Sequence, residues 1–291
     1  MSISRQNLSI VIVTIKSESV IHKCIKSINE NIPIIVIENS NNFDFKKNLE
    51  SKYKNVTCII TKENLGMGAG NNIGIKEAKT NYVYIINPDV TFNQNTLEEL
   101  ILASEKISDF SIMTPICSDS NFPNYKLLNT NNDIMNEMVP FKVKSIDGFS
   151  MILNKDKLNN EIYFDENFFL YLENDDLCHR VIKNEGFIYV VPKAQINHLG
   201  ASAVDDKFLD EIEYSRNWHW IWSKFYFNKK HYGVVKAITD GIMGFLNSIL
   251  KYIFYLLFNN KRKKKIYFNR ASGFYNALIG KSSWYRPNIR D

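Results

Sequence analysis

Four short apolar runs constrain this chain most: Leu8–Thr14 (LSIVIVT), 33–37 (PIIVI), Val56–Ile60 (VTCII) and Tyr82–Ile86 (YVYII). Each has the length and β-branched or aromatic content of a strand buried on both faces. The segments between them follow another period. Val20, Ile21, Cys24, Ile25 and Ile28 recur at helical spacing within 18–29, and 46–54 and 71–78 read as helices too. Strand, helix and strand in repetition mean an α/β fold with a mostly parallel central sheet, right-handed crossovers and flanking helices.

The fourth run ends at Asn87-Pro88-Asp89. Proline has no N–H to give a sheet ladder, so the chain leaves the sheet there. Asp89 then stands at the carboxyl end of a parallel strand, where open α/β sheets bind ligands. A carboxylate there can hold a hard cation, which in turn can hold a diphosphate; a polar turn capping the strand is an equal reading. The stretch Gly66-Met67-Gly68-Ala69-Gly70-Asn71 is glycine-rich but is no dinucleotide fingerprint. Counted from Gly66 the sixth position is Asn71, and from Gly68 it is Ile73. It serves either as a flexible turn opening a helix or as backbone that approaches a nucleotide sugar closely.

Beyond the fourth run, Thr96–Lys106 reads as a helix with Thr96 as N-cap and Glu99 three residues on. Strand character returns over 109–116 and over 143–153 around Gly148, with a polar, asparagine-rich loop or lid at 118–136. The stretch 163–180, YFDENFFLYLENDDLCHR, sets an acidic cluster between aromatics and a helix over 177–183. Carboxylates at a helix N-terminus are favoured by the dipole, and polar residues directly after FFLYL also suit an active-site floor. A strand over 186–191 precedes Ile196-Asn197-His198-Leu199-Gly200.

The 291 residues, 45% of them hydrophobic, suffice for one large core with an appendage. Four cysteines without metal-ligand spacing read as reduced thiols of a cytosolic protein, and MSISRQNLSIVIV lacks the pattern of a signal peptide. Charge is uneven. From residue 224 onward 14 Lys/Arg face two acids, while the rest of the chain has 22 against 29. The segment 241–258 is apolar but marginal in length for a membrane span, and Lys261-Arg262-Lys263-Lys264-Lys265 follows at once. That composition fits a segment lying on an anionic membrane surface; a helix packed on the body or on a second copy is the plainer reading. The acidic body and the lack of any binding motif argue against nucleic acid.

Five motifs in order, SIVIVT, ENS, NLGMGAGNNIG, NPDV and FDENFFLYLENDDLCHR with a later HLGAS, make residues 8–233 resemble a family 2 glycosyltransferase of GT-A (nucleotide-diphospho-sugar transferase) fold. The similarity is greatest to the bacterial rhamnosyltransferase-like branch that builds O-antigen and capsular glycans. The resemblance implies a catalytic domain over 1–230 and a helical, membrane-associating segment over 231–291, in a cytoplasmic protein at the inner face of the cell membrane. It places Thr14 and Glu38 near the base and ribose; the family usually has Asp at the second of these. It implies that Asn64, Gly66 and Asn71 shape the nucleotide-sugar cleft. Asn87-Pro88-Asp89 replaces the family's Asp-x-Asp, with Asn87 at the first carboxylate. Asp89 and His198 would hold Mg2+ or Mn2+, and Arg216 would reach the diphosphate or form a surface ion pair. The implied chemistry is inverting transfer from a nucleotide-sugar donor, dTDP-rhamnose or a UDP-hexose, to a glycan or polyprenyl-linked acceptor.

The same resemblance puts the catalytic base on the Asp of a Glu-Asp pair, and here Asn174 occupies that place. An amide cannot accept a proton at neutral pH, which leaves Asp175, or in reserve Glu173. Asp176 and Arg180, four apart, suit an intrahelical pair. Two other functions compete. A sugar nucleotidyltransferase needs a Gly-rich basic loop after the first strand, and residues 14–19 contain no glycine. A catalytically impaired relative that binds glycan or scaffolds an assembly would explain Asn174.

Overall fold

β1 (Leu8–Thr14) is buried along its whole length because alternate side chains enter two different cores. Leu8, Ile10 and Ile12 pack into one, Val11 and Val13 into the other. This is the physical reason for an uninterrupted apolar run. The computed structural model describes residues 2–28, 31–119, 123–128, 139–158, 163–200, 204 and 206–289. Most of the expected loop at 118–136, and part of the HLGAS motif, lie outside these.

The first half of the sheet is the expected parallel array. β2 (Ile34–Glu38) pairs with β1 on one side and β3 (Val56–Ile60) on the other, and β4 (Tyr82–Ile86) pairs with the opposite edge of β1. α1 (Glu18–Ile28), α2 (Phe43–Lys52) and α4 (Thr96–Lys106) contribute to the first core, and α3 (Met67–Glu77) and α5 (Glu173–Lys183) to the second. The second half is mixed. Its strands are β5 (Val90–Phe92), β6 (Phe110–Cys117), β7 (Tyr125–Leu127), β8 (Phe141–Ile146), β9 (Ser150–Asn154) and β10 (Phe187–His198). β9 lies antiparallel between β4 and β6, and β6 runs parallel to β10. Among the described residues the order is β3-β2-β1-β4-β9-β6-β10-β8-β7, with β5 paired to β10.

Several boundaries differ from expectation, each for a local reason. α2 begins at Phe43 because the Asn42 side chain accepts the Phe45 N–H at 2.9 Å. α3 begins inside the glycine-rich stretch, at Met67, with Gly66 held at φ 86°, a conformation that favours glycine. Gly70 and Gly74 serve packing. A Cβ on Gly74 would come within 2.4 Å of Val11, and one on Gly70 within 3.0 Å of Val13. Thr96 is not the cap of α4. Asn95 holds that position without a side-chain bond, while the Thr96 hydroxyl donates to the carbonyls of Asn93 and Gln195. The span 143–153 is two strands joined through Asp147 and a turn at Gly148 and Phe149; the two do not pair with each other, β8 lying beside β10 and β7 and β9 between β4 and β6.

The chain divides into two compact units, one of residues 1–165 and 174–205, the other of 166–173 and 206–291. The expected boundary at 230 falls inside α6 (Leu209–Tyr232), which groups with α7 (Val234–Leu257) and α8 (Lys261–Leu278). Their core is Trp218, Trp222, Phe225, Ala237, Phe274 and Ala277, whereas Trp220 is 45% exposed. α6 meets α8 so closely that a Cβ on Gly273 would lie 2.4 Å from the Trp218 carbonyl oxygen.

Candidate active site

The register of β5 on β10 builds the centre of the site. His198, the last residue of β10, pairs with Val90, and the Leu199 N–H donates to the Asp89 carbonyl at 3.2 Å. Two motifs 109 residues apart in sequence are thereby joined. His198 Nε2 lies 3.4 Å from Asp89 Oδ1, the carboxylate being 2% exposed and the imidazole 21%. That oxygen accepts no hydrogen bond among the described residues, and neither does the buried Oδ1 of Asn87. Burial without donors is costly for such oxygens. Two hard oxygens beside an imidazole nitrogen form a donor set that fits Mg2+ or Mn2+. Among the described residues no three of His, Cys, Asp and Glu gather into a ready-made cage. An ion held here would therefore draw its remaining ligands from substrate phosphate and water. Cys24, whose Sγ lies 3.8 Å from the Asn87 carbonyl, is no nucleophile, because burial first and the Asp89 charge second push its thiol pKa far up.

The β8–β9 turn closes over this corner. The Phe149 carbonyl accepts the Asn87 N–H at 2.9 Å, and the Phe149 ring stacks on His198 with centroids 4.0 Å apart. Gly148 packs on Asn174, where an added Cβ would meet the Asn174 Cβ at 3.2 Å. Asn174 is buried, and its amide donates to the Ile146 carbonyl at 2.8 Å. Asp175 is engaged by Lys126, whose Nζ lies 2.9 Å from its Oδ1. Asp147 leads from β8 into the same turn, and the residue as a whole is exposed. Partial desolvation of its carboxyl group and the Asp175 charge raise its pKa, with Lys126 and His198 pulling the other way. The sequence reading passed over Asp147 and Lys126; the Asp-Gly pair carried a signal for the first, and nothing marked the second.

The other expected residues are distributed as follows. Thr14, buried at the end of β1, donates to the Ile37 carbonyl at 3.3 Å and accepts the Asn39 N–H on its own carbonyl. Glu38 braces the turn that follows β2. It accepts from the Ser40 N–H at 2.8 Å, the Asn42 N–H at 2.7 Å and the Ser40 hydroxyl. Asn64 accepts the Gly66 N–H at 3.0 Å, and Asn39 donates to the Gly66 carbonyl at 3.1 Å, which fixes the start of α3. Asn71, one turn on, buries an Oδ1 that accepts nothing among the described residues. Asp176 and Arg180 form the expected pair at 3.0 Å. Glu173 and Arg216 belong to the second unit. Both bear on Tyr171, whose pKa is raised by desolvation, lowered by Arg216 and raised by Glu173. Tyr171 and Leu172 are consecutive left-handed residues with φ 70° and 67°, a strained entry to α5.

The sequence profile described as Glycosyl transferase family 2 matches residues 9–173, more than half of the chain. The low-salt glycan biosynthesis hexosyltransferase Agl10 of Haloferax volcanii is 25% identical over 190 residues, which are 60% of this chain and 61% of that protein. The match thus spans under two thirds of this curated relative. Among solved structures, GalNAc-T7 with UDP, GalNAc and Mn2+ superposes with a TM-score of 0.56 at 14% identity, over 73% of this chain and 51% of that one. S. aureus TarS residues 1–349 superposes with a TM-score of 0.52 at 16% identity, over 98% and 94%. Both establish likeness of fold, the α/β GT-A architecture with C-terminal helices.

Proposed function

Because this chain belongs to Glycosyl transferase family 2, we propose that it transfers a sugar, with inversion, from a nucleoside-diphosphate donor to a hydroxyl of a glycan or polyprenyl-linked acceptor. The product is a cell-surface polysaccharide of the O-antigen or capsule kind. The observation that carries the reading is the pairing of buried Asp89, whose Oδ1 accepts no hydrogen bond among the described residues, with His198 at 3.4 Å; the Asn87 Oδ1, two residues back in the chain, is likewise unsatisfied. Asp89 and His198 hold Mg2+ or Mn2+, and the strand end receives the donor diphosphate. The bound ion supplies neutralisation of the charge that grows on the departing diphosphate. Thr14 and Glu38 flank the nucleoside, and Asn64, Gly66 and Asn71 shape its cleft. A carboxylate near the N-terminal end of α5 takes the acceptor proton. The hexosyltransferase description of the Haloferax volcanii relative and the UDP in the GalNAc-T7 structure support a UDP-hexose donor, and the likeness to rhamnosyltransferases supports dTDP-rhamnose.

The second partner is an anionic membrane surface met by α7. No described helix is long and apolar enough to cross a membrane, but α7 keeps Met243, Leu246, Leu250, Ile253 and Leu257 exposed at helical spacing. The exposed apolar stripe supports, as part of this reading, work at the inner face of the cell membrane. A catalytically impaired relative is the alternative, favoured by the amide of Asn174, which accepts no proton.

Thermal unfolding with UDP, dTDP, GDP and CDP, each with and without MnCl2, tests the reading, since a ligand of the folded form raises its stability. One diphosphate should raise the midpoint only with metal, and Asp89→Ala should remove that rise. A rise independent of metal, or undiminished in the variant, refutes the proposed site.

A further inference from the structure

We propose that Asp147, the residue that leads from β8 into the β8–β9 turn, is the catalytic base of this protein, standing in for the carboxylate that position 174 lacks. This rests on the transferase reading and adds to it the residue that moves the proton. Three consecutive turn residues tie Asp147 to the reacting corner. Phe149 is bonded to Asn87 and stacked on His198, Gly148 packs on Asn174, and Asp147 precedes them. Two residues of chain span at most about 7 Å, so Asp147 cannot stand far from the pair formed by Asp89 and His198.

The neighbouring groups are already committed. Asn174 donates its amide to the Ile146 carbonyl, at the foot of the same turn. Asp175, the other carboxylate nearby, is engaged by Lys126 at 2.9 Å. Among the described residues Asp147 alone of the three presents an exposed carboxylate that joins no hydrogen bond or ion pair, its backbone N–H donating to the Asn124 carbonyl at 2.9 Å. The charged and titratable groups acting on it are Asp175, Lys126 and His198. With desolvation and Asp175 dominant, its carboxyl is a stronger proton acceptor than an ordinary aspartate.

The step balances within the donor and acceptor. The acceptor oxygen forms a bond to the anomeric carbon as its proton passes to an Asp147 oxygen. The bond from that carbon to the diphosphate oxygen breaks, and its electron pair leaves with the nucleoside diphosphate. With water as acceptor the same proton transfer yields free sugar, which permits a test without the natural acceptor.

The experiment measures release of nucleoside diphosphate from UDP-glucose, UDP-galactose and dTDP-rhamnose with MnCl2, for wild type, Asp147→Asn and Asp175→Asn. Asp147→Asn should lower kcat about 10²–10⁴-fold while leaving donor KM and the diphosphate-induced rise in unfolding temperature unchanged. Asp147→Ser serves in its place if the amide variant does not fold. Undiminished release in Asp147→Asn overturns the assignment, as does a larger loss in Asp175→Asn. Loss of the diphosphate-induced rise in Asp147→Asn also overturns it, since the residue would then act in binding. Wild type that binds a diphosphate but releases none overturns the base and favours the impaired relative. Wild type that binds none of them refutes the transferase reading itself.

Discussion

A carboxylate 2% exposed, with an oxygen that accepts no hydrogen bond, is a costly thing to fold. Among the described residues the counter-group beside Asp89 is His198, which is cationic only when protonated. A divalent ion would relieve that cost, and the imidazole, held flat by Phe149 at 4.0 Å, would add a nitrogen ligand. His198→Ala should therefore shrink the metal-dependent part of the UDP-induced or dTDP-induced rise in unfolding temperature, each rise being measured from that protein's own apo midpoint. A metal titration followed by the same midpoint would check it, and equal rises in both proteins would remove His198 from the ligand set.

At the scale of elements, the helical unit carries a buried imidazole with a structural task. His219 of α6 is fully buried. Its Nε2 lies 2.8 Å from the Tyr285 carbonyl and its Nδ1 3.0 Å from the Ser283 hydroxyl. Burial pushes its pKa down to about 3, the Tyr285 hydrogen bond opposing and Arg286 assisting. The folded value thus lies below the unfolded value of 6.5, so the unfolded chain binds more protons in the window between them. The stabilisation is whole above pH 6.5 and is lost as pH falls through the window, by about 2 kcal/mol between pH 6.5 and 5. Thermal unfolding across that range should show the fall in the wild type and a shallower one in His219→Gln. Parallel curves would mean that other groups set the acid sensitivity.

At the scale of the molecule, α7 is apolar on both sides. Ala237 and Ser248 face inward, and Gly241 admits the Phe274 ring. Met243 at 72% exposure, Leu250 at 68% and Leu257 at 77% face outward. The basic run after it is weaker than its composition implies. Arg262 pairs with Asp210 at 2.9 Å and with Glu213, and Lys265 pairs with Glu211 at 2.8 Å. Lys261 and Lys263 remain exposed at the start of α8. Binding to a membrane should then depend on the apolar stripe more than on charge. Leu250→Glu with Leu257→Glu should abolish co-sedimentation with vesicles of anionic phospholipid, and raised salt should only weaken it. If the wild type ignores vesicles and sedimentation velocity finds a dimer that the variant breaks, a second copy covers the stripe instead.

Periodicity sufficed for the parallel half of the fold. The runs at β1, β3 and β4 appear in the structure with the bounds read from sequence; β1 and β4 are buried on both faces and so apolar almost throughout, while β3, at the end of the sheet, leaves Thr57 exposed. The Asp176–Arg180 pair was likewise legible, being four residues apart on one helix. Local chemistry misled where a tertiary partner intervened. Thr96 bonds to a distant carbonyl instead of capping its helix, and the glycines of α3 make room for Val11 and Val13. What sequence alone determined is the parallel strand runs and the candidate residues at their ends, though not Asp147 or Lys126. What only the tertiary structure decided is which of them meet. The β5–β10 register sets His198 against Asp89, and the β8–β9 turn packs Gly148 on Asn174. Both depend on pairing between segments far apart in the chain, which no local pattern of residues encodes.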